Sequence, residues 1–173
     1  VRECDRSVAG SDQVIAVARQ NVPYVAVDLP HTWTAWVKSI LLQADEVIIT
    51  AAPDLANLRN AKNIIDMLKL ARPNDVPPKL ILNQVGVPKR PEIPAADFGK
   101  AVGVDVSCVI PYDAQTFGTA QSNGQMIFEV AAKSKSAEAL TNFVQSIAGT
   151  DKPAKAAKFS LPLFDKLSKL RKR

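Results

Sequence analysis

EVIITAAPDLANLRNAKNIIDMLKLARPNDVPPKLILN, residues 46–83, reads as a strand, a helix and a second strand. EVIIT (46–50) and KLILN (79–83) are short apolar runs, of the kind found in strands covered on both faces. Between them Asp54 opens a helix in which Leu55, Leu58, Ala61, Ile65 and Leu68 form one apolar stripe, and Pro73 stops it. Two strands joined through a helix pair in parallel, with a right-handed crossover.

The alternation continues on both sides. Ser11 is placed to cap a helix reaching Gln20, and YVAVD (24–28) predicts another strand. TWTAWVKSILLQ (32–43) predicts a helix, with Trp33, Trp36, Val37, Ile40 and Leu41 at helical spacing and the two tryptophans in the core. Downstream come a short helix near Ala95 to Val102, a strand VSCVIP (106–111) and a last helix from about Lys133 to Ile147. The expected fold class is α/β, a mostly parallel sheet with helices on both faces. After Gly149 the composition changes, so the chain divides into a domain at 1–149, a polar linker at 150–158 and a basic tail at 159–173.

With 173 residues, 47% of them hydrophobic and 23% charged, the chain has the composition of a globular domain and not of a disordered one. The net charge of +5 is uneven. From Thr150 onward eight Lys or Arg face Asp151 and Asp165, a net +6, which leaves the body at about −1. The basic character therefore belongs to the tail, and no nucleic-acid-binding face is expected of the domain. No apolar run approaches the roughly 20 residues of a membrane-spanning helix, and no signal-peptide pattern is expected in VRECDRSVAG. Two cysteines, Cys4 and Cys108, with no CxxC and a single His31, argue against a zinc site or a disulfide framework, and Cys108 is expected to be a core thiol.

The strand ends carry the chemistry. In open α/β sheets ligands sit beyond the carboxyl ends of the strands. Asp28 follows Val25, Ala26 and Val27, where a carboxylate can hold a magnesium-bound water near phosphates, or where a strand merely stops. Asn83 ends KLILN with an amide that offers both a donor and an acceptor, the pair needed to read an adenine edge. Pro111, Tyr112 and Asp113 follow the last strand, and the 46–50 strand enters its helix through Pro53 and Asp54. Four strands thus present polar or turn-forming residues at one edge.

VAVDLPHTWTAW, ADEVIITAAPDLANLRNAKNIIDMLK, ARPNDVPPKLILNQVGVPKRPEI and VIPYDAQTFGTAQSNGQMIFEV resemble the CpaE (TadZ) family of Tad/Flp pilus assembly proteins, in the ParA/MinD superfamily of deviant Walker A ATPases. The resemblance runs from about Asn21 to Ile147. It implies that Asp28, with Leu29 and Pro30, is the Walker B and switch II element, acting on magnesium through water. Asn83 would contact adenine, with Pro111, Tyr112 and Asp113 forming the rest of the base pocket. It further implies ATP and Mg2+ as cofactors of a complete protein, a homodimer or other self-association, Tad/Flp pilus apparatus proteins as partners, and a cytoplasmic location peripheral to the inner membrane.

The phosphate loop of that superfamily lies upstream of the Walker B strand. Val1 to Val27 contain one glycine, Gly10, and no lysine, so no glycine-rich phosphate cradle is expected from them. The chain is accordingly read as a carboxyl-terminal portion, not expected to bind cofactor or hydrolyse ATP alone. In the family the missing strand lies between those corresponding to 24–28 and 46–50, so unpaired edges, marginal stability or self-association are expected.

Several residues have plainer readings. His31 beside a Pro turn has no nucleophile and acid partner and is read as packing or solvent-facing. Arg59 and Lys62 are read as a solvated helix face, and Lys89 and Arg90 as a surface loop. In the tail FSLPLFDKLSKLRKR, helix from Leu161 would align Leu163, Leu167 and Leu170, with Phe159 and Phe164 beside them and Lys166, Lys169, Arg171 and Lys172 on the flanks. Such a segment suits contact with an anionic membrane surface or a partner protein, and is too short to be helical alone in water. The functional expectation is a nucleotide-dependent localisation or scaffolding factor for the Tad pilus machinery. The alternative is a catalytically silent module that binds pilus partners and membrane. A Rossmann oxidoreductase fits worse, because the chain has no GxGxxG.

Overall fold

The computed structural model describes residues 8–30 and 32–149, with side chains described from residue 13 onward. His31, the linker and the tail, with all the contact residues expected in it, lie outside the described residues. The elements run α1 (Val8–Asn21), α2 (Ala35–Gln43), β1 (Ile48–Ala51), α3 (Leu55–Ala71), β2 (Lys79–Val85), α4 (Ala95–Val102), β3 (Val106–Pro111), α5 (Ala114–Asn123), α6 (Ile127–Ala131) and α7 (Lys135–Ile147). They form two compact units, one ending at Asp113 and one starting at Ala114.

In the first unit β1, β2 and β3 form a parallel sheet in the order β1-β2-β3. Leu80, Ile81 and Leu82 of the middle strand are all buried, which requires cover on both faces. In β1 and β3 burial alternates, so each turns one face to solvent. The core gathers Ile49 and Ala51 of β1, Leu80 and Leu82 of β2, Ala61 and Ile65 of α3, and Phe98 and Val102 of α4. Cys108 is buried, as a core thiol should be, and burial pushes its pKa up.

Local chemistry sets the helix ends. Thr34 caps α2, its hydroxyl accepting from Val37 N–H at 3.4 Å. Asp54 caps α3 by accepting from Asn57 N–H at 2.8 Å, and Arg72, just before Pro73, is its C-cap. Gly103 closes α4 at φ 77°, a left-handed conformation that spares glycine the Cβ penalty. In the second unit Ser134 caps α7, and Ala120, Ile127, Ser136, Ala137 and Phe143 are buried.

Five expectations are corrected. Residues 24–28 form no strand: the segment has no ladder partner among the described residues, and Tyr24 (69%) and Val27 (43%) are exposed. Apolar alternation favours a strand only where a neighbour supplies hydrogen bonds, and among the described residues none does. The sheet thus has three strands and not four. Trp33 precedes α2 and is 58% exposed, and Leu55, at the first turn of α3, is 57% exposed, because the helix stripe meets the core only further along. Ser11 lies inside α1, not at its start. Finally, α5 and α6 were not expected at all.

Candidate functional site

Parallel strands bring their carboxyl ends to one edge of the first unit. Ala51 pairs with Leu82, and Val85 pairs with Pro111. Beyond β1 the chain turns at Ala52, with Asp54 N–H donating to Ala52 C=O at 2.8 Å and Pro53 buried beneath. Beyond β3, Tyr112 N–H donates to Val85 C=O at 2.8 Å, which continues the ladder and sets Tyr112 beside the end of β2. Its ring is partly exposed.

Asn83 is not the last residue of its strand, since β2 continues to Val85. The ladder with β3 slips between Leu82 and Val85, so Asn83 and Gln84 occupy a bulge. Bulges re-aim side chains, and this one contains Gln84 at φ 57°, a left-handed conformation rare outside glycine. Gln84 N–H donates to Asn83 Oδ1 at 2.8 Å. The half-buried Asn83 amide is therefore held in one sense, its Nδ2 bonded to nothing among the described residues.

The loop after β2 grips this bulge. Arg90 donates through Nη2 to Gln84 C=O and, at 3.0 Å, to Glu92 Oε1. The Glu92 carboxylate accepts from two successive backbone amides, Gly86 N–H at 2.9 Å and Val87 N–H at 3.1 Å. Gly86 itself sits at φ 89°. Ile93 N–H donates to Pro53 C=O at 2.8 Å and ties the loop to the β1–α3 turn. The Gly86 N–H is the main reason that the Glu92 carboxyl lies below its ordinary pKa, with Arg90 assisting against partial desolvation. Asp54 is likewise lowered, first by the Asn57 amide and in smaller part by the charge of Arg90. Arg90 thus stands among two carboxylates, its side chain 26% exposed and its Nε buried without a hydrogen bond. This arginine, read from sequence as a surface-loop residue, is a structural centre of the edge.

The remaining expected site residues divide. Pro111 and Tyr112 meet Val85 at the end of β2, with Asn83 two residues earlier on the same strand. Asp113 follows Tyr112 at the boundary between the units and is half-buried. Asp28 lies exposed in the irregular 22–30 segment, outside the ladder. Among the described residues no cluster of three or more His, Cys, Asp or Glu could hold a metal ion. Lys62 and Arg59 lie on a solvated face, as expected, Lys62 pairing with Asp66 at 2.6 Å.

A groove lies elsewhere in the first unit. It is an open trough of about 930 Å³ at the amino ends of β2 and β3, lined by Pro78, Gly99, Lys100, Val106 and Ser107 among others. Lys79 on its wall is paired with Glu46 at 3.6 Å. Volume alone does not make it the functional edge, because polar groups with fixed directions converge at the carboxyl ends and not here.

No family model matches the chain, and neither does any curated protein. Solved structures do. A ParA family ATPase from Chlorobium tepidum superposes with a TM-score of 0.66 at 22% identity, over 82% of this chain and 56% of that one. The MinD protein of Pyrococcus horikoshii, solved with Mg-ADP, gives 0.70 at 21% identity over 82% and 56%. The Aquifex aeolicus MinC:MinD cell division complex gives 0.71 at 17% identity over 86% and 62%. The fold is therefore the parallel α/β fold of ParA/MinD ATPases, and this chain spans between 56% and 62% of those chains' length. No described helix is long and apolar enough to cross a membrane.

Proposed function

We propose that the carboxyl edge of the sheet is the adenine end of a nucleotide site, in a ParA/MinD-like switch protein serving Tad/Flp pilus assembly. The observation that carries the reading is the Asn83 amide, fixed in direction at a bulge two residues before Val85, whose carbonyl accepts from Tyr112 N–H, with Asn83 Nδ2 bonded to nothing among the described residues. An amide with a directed donor and a carbonyl lone pair to spare matches the donor and acceptor of an adenine edge, and the Tyr112 ring offers a stacking face. The residues present thus fit the base alone, so adenosine, and not Mg-ATP, is the ligand proposed to bind this chain. Pro111 and Asp113 complete its pocket, and Asp28 is assigned to a magnesium-bound water.

Bound Mg-ATP would supply a charged, switchable ligand whose presence favours a self-associated state. What this chain's residues do is narrower: Asn83 selects the base, Tyr112 covers it, and Asp28 orients water. The basic tail, with Phe159, Leu163, Phe164, Leu167 and Leu170 against Lys166, Lys169, Arg171 and Lys172, is assigned to an anionic membrane surface, which would place the protein peripherally at the inner membrane.

The test is piliation. In the source bacterium, deletion of the gene should abolish surface pili, the wild-type gene should restore them, and Asp28→Ala or Asn83→Ala should not. Normal piliation in the deletion strain would refute the pilus assignment. Restoration by both variants would leave a nucleotide-independent interaction module as the function.

A further inference from the structure

We infer that the free edge of β3, with α4 beside it, is the surface through which a second copy of this chain binds, in a two-fold dimer that needs no nucleoside. The inference goes beyond the base site proposed above and uses a different surface of the first unit.

β3 has a ladder partner on one side only, because the sheet ends with it. An edge strand presents a row of backbone N–H and C=O groups, which proteins usually guard with charged side chains. VSCVIP, residues 106–111, carries no charge along its length, and Val109 is 40% exposed. At the other edge β1 is four residues long, against six for β3. The trough of about 930 Å³ lies against this strand, lined by Val106, Ser107 and Val109 of β3 and by Ala96, Gly99 and Lys100 of α4 among others. Apart from Lys100, α4 gives the trough only alanine and glycine, so a second helix can approach it closely.

The charges on α4 select the occupant. Asp97 lies in its first turn and Lys100 in its last, both exposed, and neither forms an ion pair among the described residues. Three residues apart, they share one face of the helix. A two-fold axis normal to the sheet sets the β3 strands of two copies antiparallel, each edge bonding to the other. The same axis, passing beside Phe98 and Gly99, reverses one α4 against its counterpart. Reversal carries Asp97 of each copy to Lys100 of the other, so two ion pairs form and no like charges meet. It also sets opposite ends of the helix dipoles side by side. An acidic or a basic partner would match one of these charges and repel the other, whereas a second copy turned about the two-fold matches both.

The experiment is sedimentation equilibrium of the full chain without nucleoside, across the micromolar range. The variants are Asp97→Lys, Lys100→Asp, the double exchange of the two, and Val109→Lys, with circular dichroism as the check on folding. Wild type should form dimers. Either charge reversal should weaken dimerisation by about tenfold or more, because each ion pair becomes a repulsion and the two-fold doubles the effect. The double exchange should restore the wild-type constant to within about threefold, as direct pairing requires. Val109→Lys should weaken the dimer by about tenfold as well, since it places a charge on the pairing edge. A wild type that stays monomeric at about 100 μM overturns the inference. So does a dimer that any folded single variant leaves unweakened, or a folded double exchange that remains as weak as its parents. Should a charge variant fail to fold, Val109→Lys still decides whether β3 is the interface.

Discussion

Replacing Asp54 by alanine removes a helix cap and a charge at once, and the structure separates the two. Its Oδ1 accepts from Asn57 N–H at 2.8 Å, and the carboxylate also holds Asn57 Nδ2 at 3.0 and 2.9 Å. Loss of an N-cap of this kind costs about 1 kcal/mol. Loss of a negative charge at the positive end of a helix dipole adds about 0.5 kcal/mol. Asp54→Ala should therefore destabilise the chain by about 1.5 kcal/mol, a fall in Tm of roughly 3–6 °C for a protein of this size. Asp54→Asn keeps a capping oxygen and should lose only the charge part, about 0.5 kcal/mol. The pH dependence carries a sign. Asp54 has a lowered pKa when folded, with the Asn57 amide as the main cause, so its stabilisation is fully present above the ordinary carboxylate range near pH 4. It is lost as pH falls through the lowered folded value. Urea unfolding followed by circular dichroism at pH 7 and at about pH 3 should show the gap between wild type and Asp54→Ala narrowing in acid. A gap below about 0.5 kcal/mol at neutral pH, or one that widens on acidification, would refute the capping argument.

Leu80→Ala, in a side chain buried to 0% exposure on the middle strand, should cost about 3 kcal/mol, whereas Leu70→Ala on the exposed side of α3 should cost under about 0.5 in the same urea experiment. Gly103→Ala forces a Cβ into a left-handed C-cap at φ 77° and within 3.1 Å of Lys69 Nζ, so a loss of about 1 kcal/mol is expected by thermal melting. In a Cys4→Ser background Cys108 should react with an aromatic disulfide reagent at least about a hundredfold more slowly when folded than in urea, because its thiol is buried and held protonated. Equal rates would mean that the core does not cover the face of β3 on which Cys108 lies.

The helical and strand periods of 46–111 were legible because local chemistry and tertiary burial agree there. Asp54 caps where it should, α4 occupies the residues expected of it, and β3 begins and ends as read. The segment 24–28 failed because a strand is a relation between two chains of hydrogen bonds, and one segment's composition cannot supply the second. Asn83 stands out in the sequence by residue type, but its setting does not: a register slip between Leu82 and Val85 leaves no mark in the residues themselves. Gln84 at positive φ was invisible for the same reason, glutamine being no turn former. Arg90 and Glu92 read as surface charges among prolines, and only the folded loop shows that they meet each other and the bulge. The one available signal was Gly86, whose φ of 89° marks the backbone turn that the Glu92 carboxylate caps.

If the carboxyl edge of the sheet takes the adenine base, and the groove at the amino ends of β2 and β3 does not, adenosine perturbs the first and leaves the second unmoved. The most direct measurement is a backbone amide NMR map of the full chain with adenosine. Shifts are expected at Asn83, Gln84 and Tyr112, with Gly99, Val106 and Ser107 unmoved. Shifts confined to Gly99, Val106 and Ser107 would place the ligand in the 930 Å³ groove and contradict the proposed base site.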